Sequence, residues 1–324
     1  MRKDLFVRDI KAGQQVAGPF VASSKALRSF ARKPGAYLAL ELSDKTGSVA
    51  ARIWDNAEVA AAQFTEGDVV AVQGRAEEYQ GALQVVLTAL RRLDEDEYSP
   101  EDFIPATDKD VDALLLGLQQ TARGMKDEHL RALVMAFLED AEFLGEFKVC
   151  PASRRLHHSR LGGLIEHTHS VVELCSSIVS HFPKVDRDLL LAGAILHDIG
   201  KIHEYRHGLS IERTIEGTLV GHVVMGDAML SDRLRAMPQF PEQKALLLHH
   251  LMLSHHGQLE YGSPKRPKTR EAIILHALEN LDADLDYFEI ATADARREGK
   301  EMTEYDRIFG RQLYAGPAEG DEED

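Results

Sequence analysis

Two periodicities divide the chain. Between about residues 15 and 93, apolar and polar positions alternate in short runs at 15–22, 37–42, 48–54, 69–78 and 83–93. In the second run Leu38, Leu40 and Leu42 alternate with Tyr37, Ala39 and Glu41, the period of a strand with one buried face. Turn residues separate the runs: Ser43-Asp44-Lys45-Thr46-Gly47 and Tyr79-Gln80-Gly81 read as hairpin turns, and Gly67-Asp68 leads into the fourth run. The Ala-rich segment 56–64 predicts a short helix. Five strands with a helix between the third and fourth is the order of an OB-fold barrel. From Val111 the period changes to that of helices, as in Leu114 and Leu118 or Leu130, Leu133, Val134, Phe137 and Leu138. Further helices are expected near 164–181, 187–199, 217–234, 241–254 and 270–292. The fold class expected is multidomain, a small all-β OB-fold barrel followed by an all-α domain.

Charge sharpens this division. The 324 residues carry a formal charge of −15, which taken whole argues against a nucleic-acid partner. Residues 1–93, however, hold 13 Lys and Arg against 10 Asp and Glu, whereas 94–324 hold 25 against 43. All 15 histidines lie at or beyond His129. The barrel is mildly basic, so the total is the wrong scale on which to exclude a strand. The stretch Asp94-Glu95-Asp96-Glu97-Tyr98-Ser99-Pro100-Glu101-Asp102 reads as a linker. The expected organisation is a nucleic-acid-binding barrel at 1–93, an acidic linker at 94–110, a helical domain at 111–312 and an acidic tail at 313–324. No apolar run approaches the roughly 18 residues of a membrane span. The N-terminus lacks the apolar stretch of a secretory signal, and Cys150 and Cys175 cannot build a disulfide framework. A cytoplasmic protein with no membrane partner is expected.

The barrel offers a set of strand-binding candidates. Arg52 and Trp54 share one face of the third strand, and Tyr37, Tyr79 and the basic Lys25, Arg28 and Lys33 could extend it. Trp54 taken alone points to the barrel core, because large aromatic side chains are mostly buried. Both readings stand at this point. Lys265 and Arg266 in the helical half are further candidates for substrate phosphates, or simply a solvated loop.

The helical half carries the chemistry. Ala192-Gly193-Ala194-Ile195-Leu196 runs directly into His197-Asp198-Ile199-Gly200-Lys201. Such a run places a polar His-Asp step at the edge of a core, where desolvation needs compensation, and a divalent ion suits imidazole plus carboxylate. Gly200 would end the helix and turn Lys201 back towards the site. His167, His222, His255, His256 and a carboxylate at Glu279 or Asp282 complete the candidates. His169 lies about 200° around a helix from His167, so the two cannot face one site.

Together His167, His197-Asp198 and the later carboxylate resemble the ligand set of the HD-domain metallophosphohydrolases. His222 in Gly221-His222-Val223-Val224-Met225-Gly226, with Ser254-His255-His256-Gly257, resembles the members that hold two ions. With an OB-fold in front, the chain resembles the YhaM-type 3′→5′ exoribonuclease family. The stretches that carry this are Tyr79-Gln80-Gly81 with Gln84, His157-His158-Ser159-Arg160-Leu161-Gly162-Gly163-Leu164-Ile165-Glu166-His167, and Leu196-His197-Asp198-Ile199-Gly200-Lys201.

The resemblance implies two divalent ions per site, Mn²⁺ favoured, with Fe²⁺, Co²⁺, Mg²⁺ and Zn²⁺ as alternatives. It implies Asp198 as the bridging ligand, with His167 and His197 chiefly on one ion and His222, His255 and His256 chiefly on the other. Glu279 stands where the family places an Asp. Asp282, one turn later, is favoured as part of the site. Asp198, Lys201 and Arg160 are the catalytic candidates, Arg160 as a phosphate contact. The activity implied is hydrolysis of single-stranded RNA, or single-stranded DNA, to nucleoside 5′-monophosphates, with self-association left open. Two other readings are an HD phosphohydrolase of small nucleotides with a regulatory OB domain, and a strand-binding protein with a degenerate metal domain. The absence of Gly-Tyr-Pro after Ser254-His255-His256-Gly257 speaks against a cyclic-dinucleotide phosphodiesterase.

Overall fold

A computed structural model describes residues 2–30, 35–79, 82–153, 158–207, 209 and 211–317. Two compact units are present, Met1–Ala106 with His207–Ile211, and Thr107–Arg206 with Glu212–Asp324. Among the described residues no helix is long and apolar enough to cross a membrane.

The first unit is a closed barrel of β1 (Gln15–Ser29), β2 (Ala36–Asp44), β3 (Gly47–Ile53), β4 (Val69–Tyr79) and β5 (Ala82–Arg92), ordered β1-β2-β3-β5-β4. Helix α1 (Ala57–Ala61) lies between β3 and β4 in sequence, as the OB-fold order requires. Alternation does what the sequence pattern implies: Leu38, Leu40 and Leu42 pack inward with Phe20, Ala51, Val70 and Val85. β1 runs farther than expected, to Ser29, because its outer half pairs with β2 from Lys25↔Leu40 to Ser29↔Ala36. Lys3 is buried beneath the barrel, 3.0 Å from Asp44, 2.7 Å from the Pro19 carbonyl and over the Phe20 ring.

The acidic stretch after β5 is not a spacer. Asp94 caps a short 3₁₀ turn at Glu95–Glu97 through a capping box. Phe103 is buried with Val21, Val69 and Leu93, and Tyr98 meets its ring edge-on at 5.5 Å. Outward carboxylates mask the apolar anchors among them, so the barrel unit extends to Ala106.

The second unit is helical: α2 (Val111–Arg123), α3 (Glu128–Leu138), α4 (Ala141–Phe147), α5 (Gly163–Ile178), α6 (Arg187–Leu196), α7 (Lys201–Glu204), then α8 (Ile215–Leu219), α9 (His222–Arg235), α10 (Glu242–Ser254) and α11 (Arg270–Arg297). Strands β6 (Tyr205–His207) and β7 (Ile211–Arg213) form a short ribbon before α8. Asp110, Asp127, Asp140 and Asp186 cap α2, α3, α4 and α6 by accepting from first-turn amides, so part of the acidic excess serves helix starts. The expected helix at 217–234 is broken into α8 and α9 at Val220-Gly221. The tail is not wholly solvated either, since Leu313 and Ala315 are buried. α6 is the centre of this unit. All of its residues from Asp188 to Leu196 are buried, as expected of a helix surrounded by α5, α10 and α11.

Candidate metal centre and strand-binding face

Helix ends deliver most of the donors to one place. α6 carries the chain through the core and ends on His197, so Asp198 emerges in the middle of the bundle. α9 begins on His222, and α10 ends at Ser254 directly before His255 and His256. α5 contributes His167, and α11 contributes Glu279 and Asp282. Gly200 has an ordinary helical backbone (φ −66°) and does not serve as a left-handed stop. Its need is steric: a Cβ there would lie 2.0 Å from the His222 carbonyl oxygen. Glycine lets α7 and α9 close on each other and brings His222 to Asp198.

Around Asp198 the donors fall into two groups. Its Oδ2 lies 3.2 Å from His197 Nε2 and 3.7 Å from His167 Nε2. Its Oδ1 lies 3.4 Å from His222 Nε2 and 3.6 Å from His255 Nε2. His167 and His197 have Nε2 atoms 3.3 Å apart, and those of His222 and His256 are 2.9 Å apart. The opposite ring nitrogens are pinned by acceptors: Asp282 for His167 at 2.7 Å, the Ala194 carbonyl for His197 at 2.9 Å, Glu204 for His222 at 2.5 Å and the Met252 carbonyl for His255 at 2.7 Å. A Nδ1 that faces an acceptor carries the proton, which leaves each Nε2 lone pair facing Asp198.

These residues fit divalent ions. Both Asp198 carboxylate oxygens and His255 Nε2 are buried without a hydrogen-bond partner, an expensive arrangement for a protein interior. An ion bound at about 2.1 Å sets neighbouring donors roughly 3–3.5 Å apart, close to the spacings here. His167, His197 and Asp198 bring ligand atoms within 4.8 Å of one another, as do His222, His255 and His256. Burial opposes ionisation of Asp198, but the Lys201 ammonium and His197 outweigh it and hold the carboxyl well below its ordinary range. Burial and the neighbouring His256 push His255 down to about 3, and burial lowers His167 and His222, so these imidazoles are neutral donors. The centre opens on one side: the side chains of His222 and His256 are 14% and 18% exposed, while those of His167, His197 and His255 are fully enclosed.

Several expected roles change. Asp282 belongs to the site, but its carboxylate is occupied by His167, by His158 Nε2 at 3.0 Å and by the Ser170 hydroxyl. These contacts orient His167, and with His158 and His167 Asp282 also brings ligand atoms within 4.8 Å of one another. Glu279 is buried, with Oε1 3.6 Å from His256 Nδ1. Burial opposes its charge, and its side-chain partner His256 outweighs burial and keeps it ionised. Lys201 is buried with its Nζ 2.6 Å from Asp198 Oδ2, an ion pair lacking hydrogen-bond alignment; it fixes the carboxylate and is enclosed away from a strand. Arg160 is likewise engaged, bonding Glu166 at 2.9 and 3.0 Å and Asp286 at 2.9 Å, so it is not a ready phosphate contact. Glu204 and His158 were not among the sequence candidates. His158 does lie in the stretch from His157 to His167 that carries the family resemblance, and the signal for Glu204 was its spacing three residues after Lys201. His169 turns away from the centre towards Glu173.

On the barrel, Trp54 is 41% exposed and does not close the core. Its ring lies 4.9 Å from Tyr37 and stacks on Phe30 at 6.2 Å and 18°. Phe30 is a third member that the sequence reading missed. Arg28 is exposed and Tyr79 is 58% exposed, whereas Arg52 is half-buried and bonds the Ala51 carbonyl. Lys25 leaves this set, because its ammonium is committed to the carbonyls of Ala61 and Phe64 at the end of α1. Lys33 lies outside the described residues. Lys265 and Arg266 are exposed between α10 and α11.

Comparisons with known proteins agree with this architecture. Residues 164–284 match the HD domain family, and residues 21–93 match the OB-fold nucleic acid binding domain family. The 3′-5′ exoribonuclease YhaM of Bacillus subtilis (strain 168) is 32% identical over 292 residues, 90% of this chain and 91% of that protein. The 3′-5′ exoribonuclease YhaM of Bacillus velezensis is 32% identical over 286 residues, 88% of this chain and 89% of its own. Among solved structures, the second OB-fold domain of replication protein A from Methanococcus maripaludis is 16% identical and covers 28% of this chain and 95% of its own, with a TM-score of 0.25. That likeness is too distant to bear on function. HD domains form a metal-dependent phosphohydrolase superfamily, and this chain carries one.

Proposed function

We propose, from the premise that this chain belongs to the YhaM 3′-5′ exoribonuclease family, that it hydrolyses single-stranded RNA from the 3′ end and releases nucleoside 5′-monophosphates. The observation that carries this reading is Asp198, a buried carboxylate whose two oxygens make no hydrogen bond and each face a different set of imidazoles. His167, His197 and Asp198 Oδ2 would hold one divalent ion, and His222, His255, His256 and Asp198 Oδ1 the other, with Mn²⁺ the favoured metal. Bound ions supply Lewis-acid polarisation of the scissile phosphate and lower the pKa of water. The protein's part is positioning. Lys201 fixes the Asp198 carboxylate, and Asp282 and Glu204 hold His167 and His222 in the tautomer that offers Nε2. Glu279, beside His256, is the carboxylate best placed to join the centre. The exposed edges of His222 and His256 mark the side from which a strand would enter. On the barrel, Phe30, Tyr37 and Trp54 form a sequence-tolerant stacking surface, with Arg28 and Tyr79 as outlying contacts; Lys265 and Arg266, in the helical unit, are separate candidates for strand phosphates.

The test is digestion of 5′-labelled single-stranded RNA by the full chain with Mn²⁺, beside single-stranded DNA and a panel of mononucleotides and cyclic dinucleotides. A ladder of shortening RNA, abolished by EDTA, is the expected result. Turnover of small nucleotides with intact RNA would overturn the reading, as would binding of RNA without cleavage.

A further inference from the structure

His158 is 5% exposed and sits at the junction of α5 and α11. Its backbone is left-handed, with φ +45°, a conformation that costs a non-glycine residue energy and persists where the surroundings dictate it. The surroundings do so here. The His158 amide donates to Asp286 Oδ2 at 2.6 Å, and its carbonyl accepts from Ala152 and Arg160 amides at 3.2 and 2.8 Å. A Cβ at Gly163, the first residue of α5, would lie 2.0 Å from that carbonyl oxygen, so the loop presses directly on the helix that carries His167.

The side chain continues the same line. Arg160 Nη2 lies 3.0 Å from His158 Nδ1. A guanidinium can only donate, so Nδ1 is the acceptor and the proton is on Nε2. That Nε2–H faces Asp282 Oδ2 at 3.0 Å, the same oxygen that accepts from His167 Nδ1 at 2.7 Å. Arg160 is in turn held by Glu166 and Asp286. An unbroken chain of hydrogen bonds therefore runs from Arg160 through His158 and Asp282 to His167.

We propose that His158 is a positioning residue for one ion of the centre: it orients Asp282, through which it sets the angle and donor strength of His167, and it does nothing for the ion on the far side of Asp198. The other half has its own support in Glu204, whose carboxylate accepts from His222 Nδ1 at 2.5 Å. The inference rests on the proposed function only in taking His167 as a ligand.

Titration of the metal-free full chain with Mn²⁺ alone, followed by calorimetry, tests both. In the parent two binding events are expected, and His167→Ala should remove one. His158→Ala should weaken that same event about 10- to 100-fold, the usual effect of removing a group that orients a ligand, and leave the other unchanged. His158→Gln, which keeps a donor on a side chain of similar reach, should recover part of the affinity and serves in its place if the alanine variant does not fold. A His158 variant with parental affinity for both ions overturns the inference while His167→Ala upholds the ligand assignment. Equal weakening of both events overturns it as well, because it marks a general structural role. No effect of His167→Ala on either event overturns the ligand reading itself, and this inference with it.

Discussion

Replacing Lys201 with methionine isolates the electrostatics of the centre. Lys201 and Asp198 are both enclosed, with side chains 4% and 1% exposed and 2.6 Å between charged atoms. Methionine has similar volume, so the change removes charge with little loss of packing. Without metal it leaves Asp198 ionised and buried, with His197 as its remaining cationic neighbour. Breaking a buried pair from one side costs about 3–5 kcal/mol. His197, whose protonated form Asp198 favours against the opposing effect of burial, offsets part of this, so about 3 kcal/mol is expected. For a unit of this size that lowers Tm by about 6–12 °C in EDTA. When Mn²⁺ is bound, cations stand beside the same carboxylate and the missing ammonium matters less, so the loss should shrink to about 1 kcal/mol, or about 3 °C. Scanning calorimetry of parent and variant, with EDTA and with saturating Mn²⁺, reads the difference. Equal losses in the two conditions would refute the claim that Asp198 faces the metal position.

Three further outcomes are expected. Lys3→Met leaves Asp44 buried and held by uncharged donors, the Val7 and Thr46 amides and the Thr46 hydroxyl, and should destabilise the barrel by about 3 kcal/mol. Urea unfolding followed by fluorescence of Trp54, the chain's single tryptophan, measures this in the barrel alone, and a change below about 1 kcal/mol would contradict it. Gly200→Ala must separate α7 from the His222 carbonyl, so equilibrium dialysis should find one Mn²⁺ fewer per chain; undiminished stoichiometry would count against the close approach as its purpose. Trp54→Ala should weaken binding of single-stranded RNA by about 1–3 kcal/mol, roughly 5- to 150-fold, in a filter-binding assay run under EDTA. Unchanged affinity there would exclude the ring platform from strand binding.

The strands of the barrel were legible because one face is buried and the other wet, which writes a period of two into the residues. The central helix was legible because α6 is apolar on every side and ends on the only His-Asp step of that run. The division of labour among the donors was not. Glu279 and Asp282 lie one turn apart on one helical face, and composition cannot say which carboxylate meets His167 and which lies beside His256. Lys201 and Arg160 are cations near a phosphate-handling site, and only the structure reveals that buried acids already hold both. His158 was invisible for a similar reason, since its function depends on an unusual backbone angle rather than on periodicity. In the acidic stretch, six Asp and Glu side chains outvoted Tyr98 and Phe103, although two well-placed aromatics suffice to anchor a segment. Trp54 defied the burial habit of its residue type because its neighbours Phe30 and Tyr37 give it an aromatic surface outside the core.

The central claim is that one centre, built on His197 and Asp198, performs the hydrolysis while the barrel holds the strand independently. Its most direct test is a double variant, His197→Ala with Asp198→Ala, assayed with Mn²⁺ on 5′-labelled single-stranded RNA and resolved for cleavage and for binding in the same samples. The account predicts complete loss of the shortening ladder with strand binding near that of the parent. Cleavage at the parental rate would contradict it.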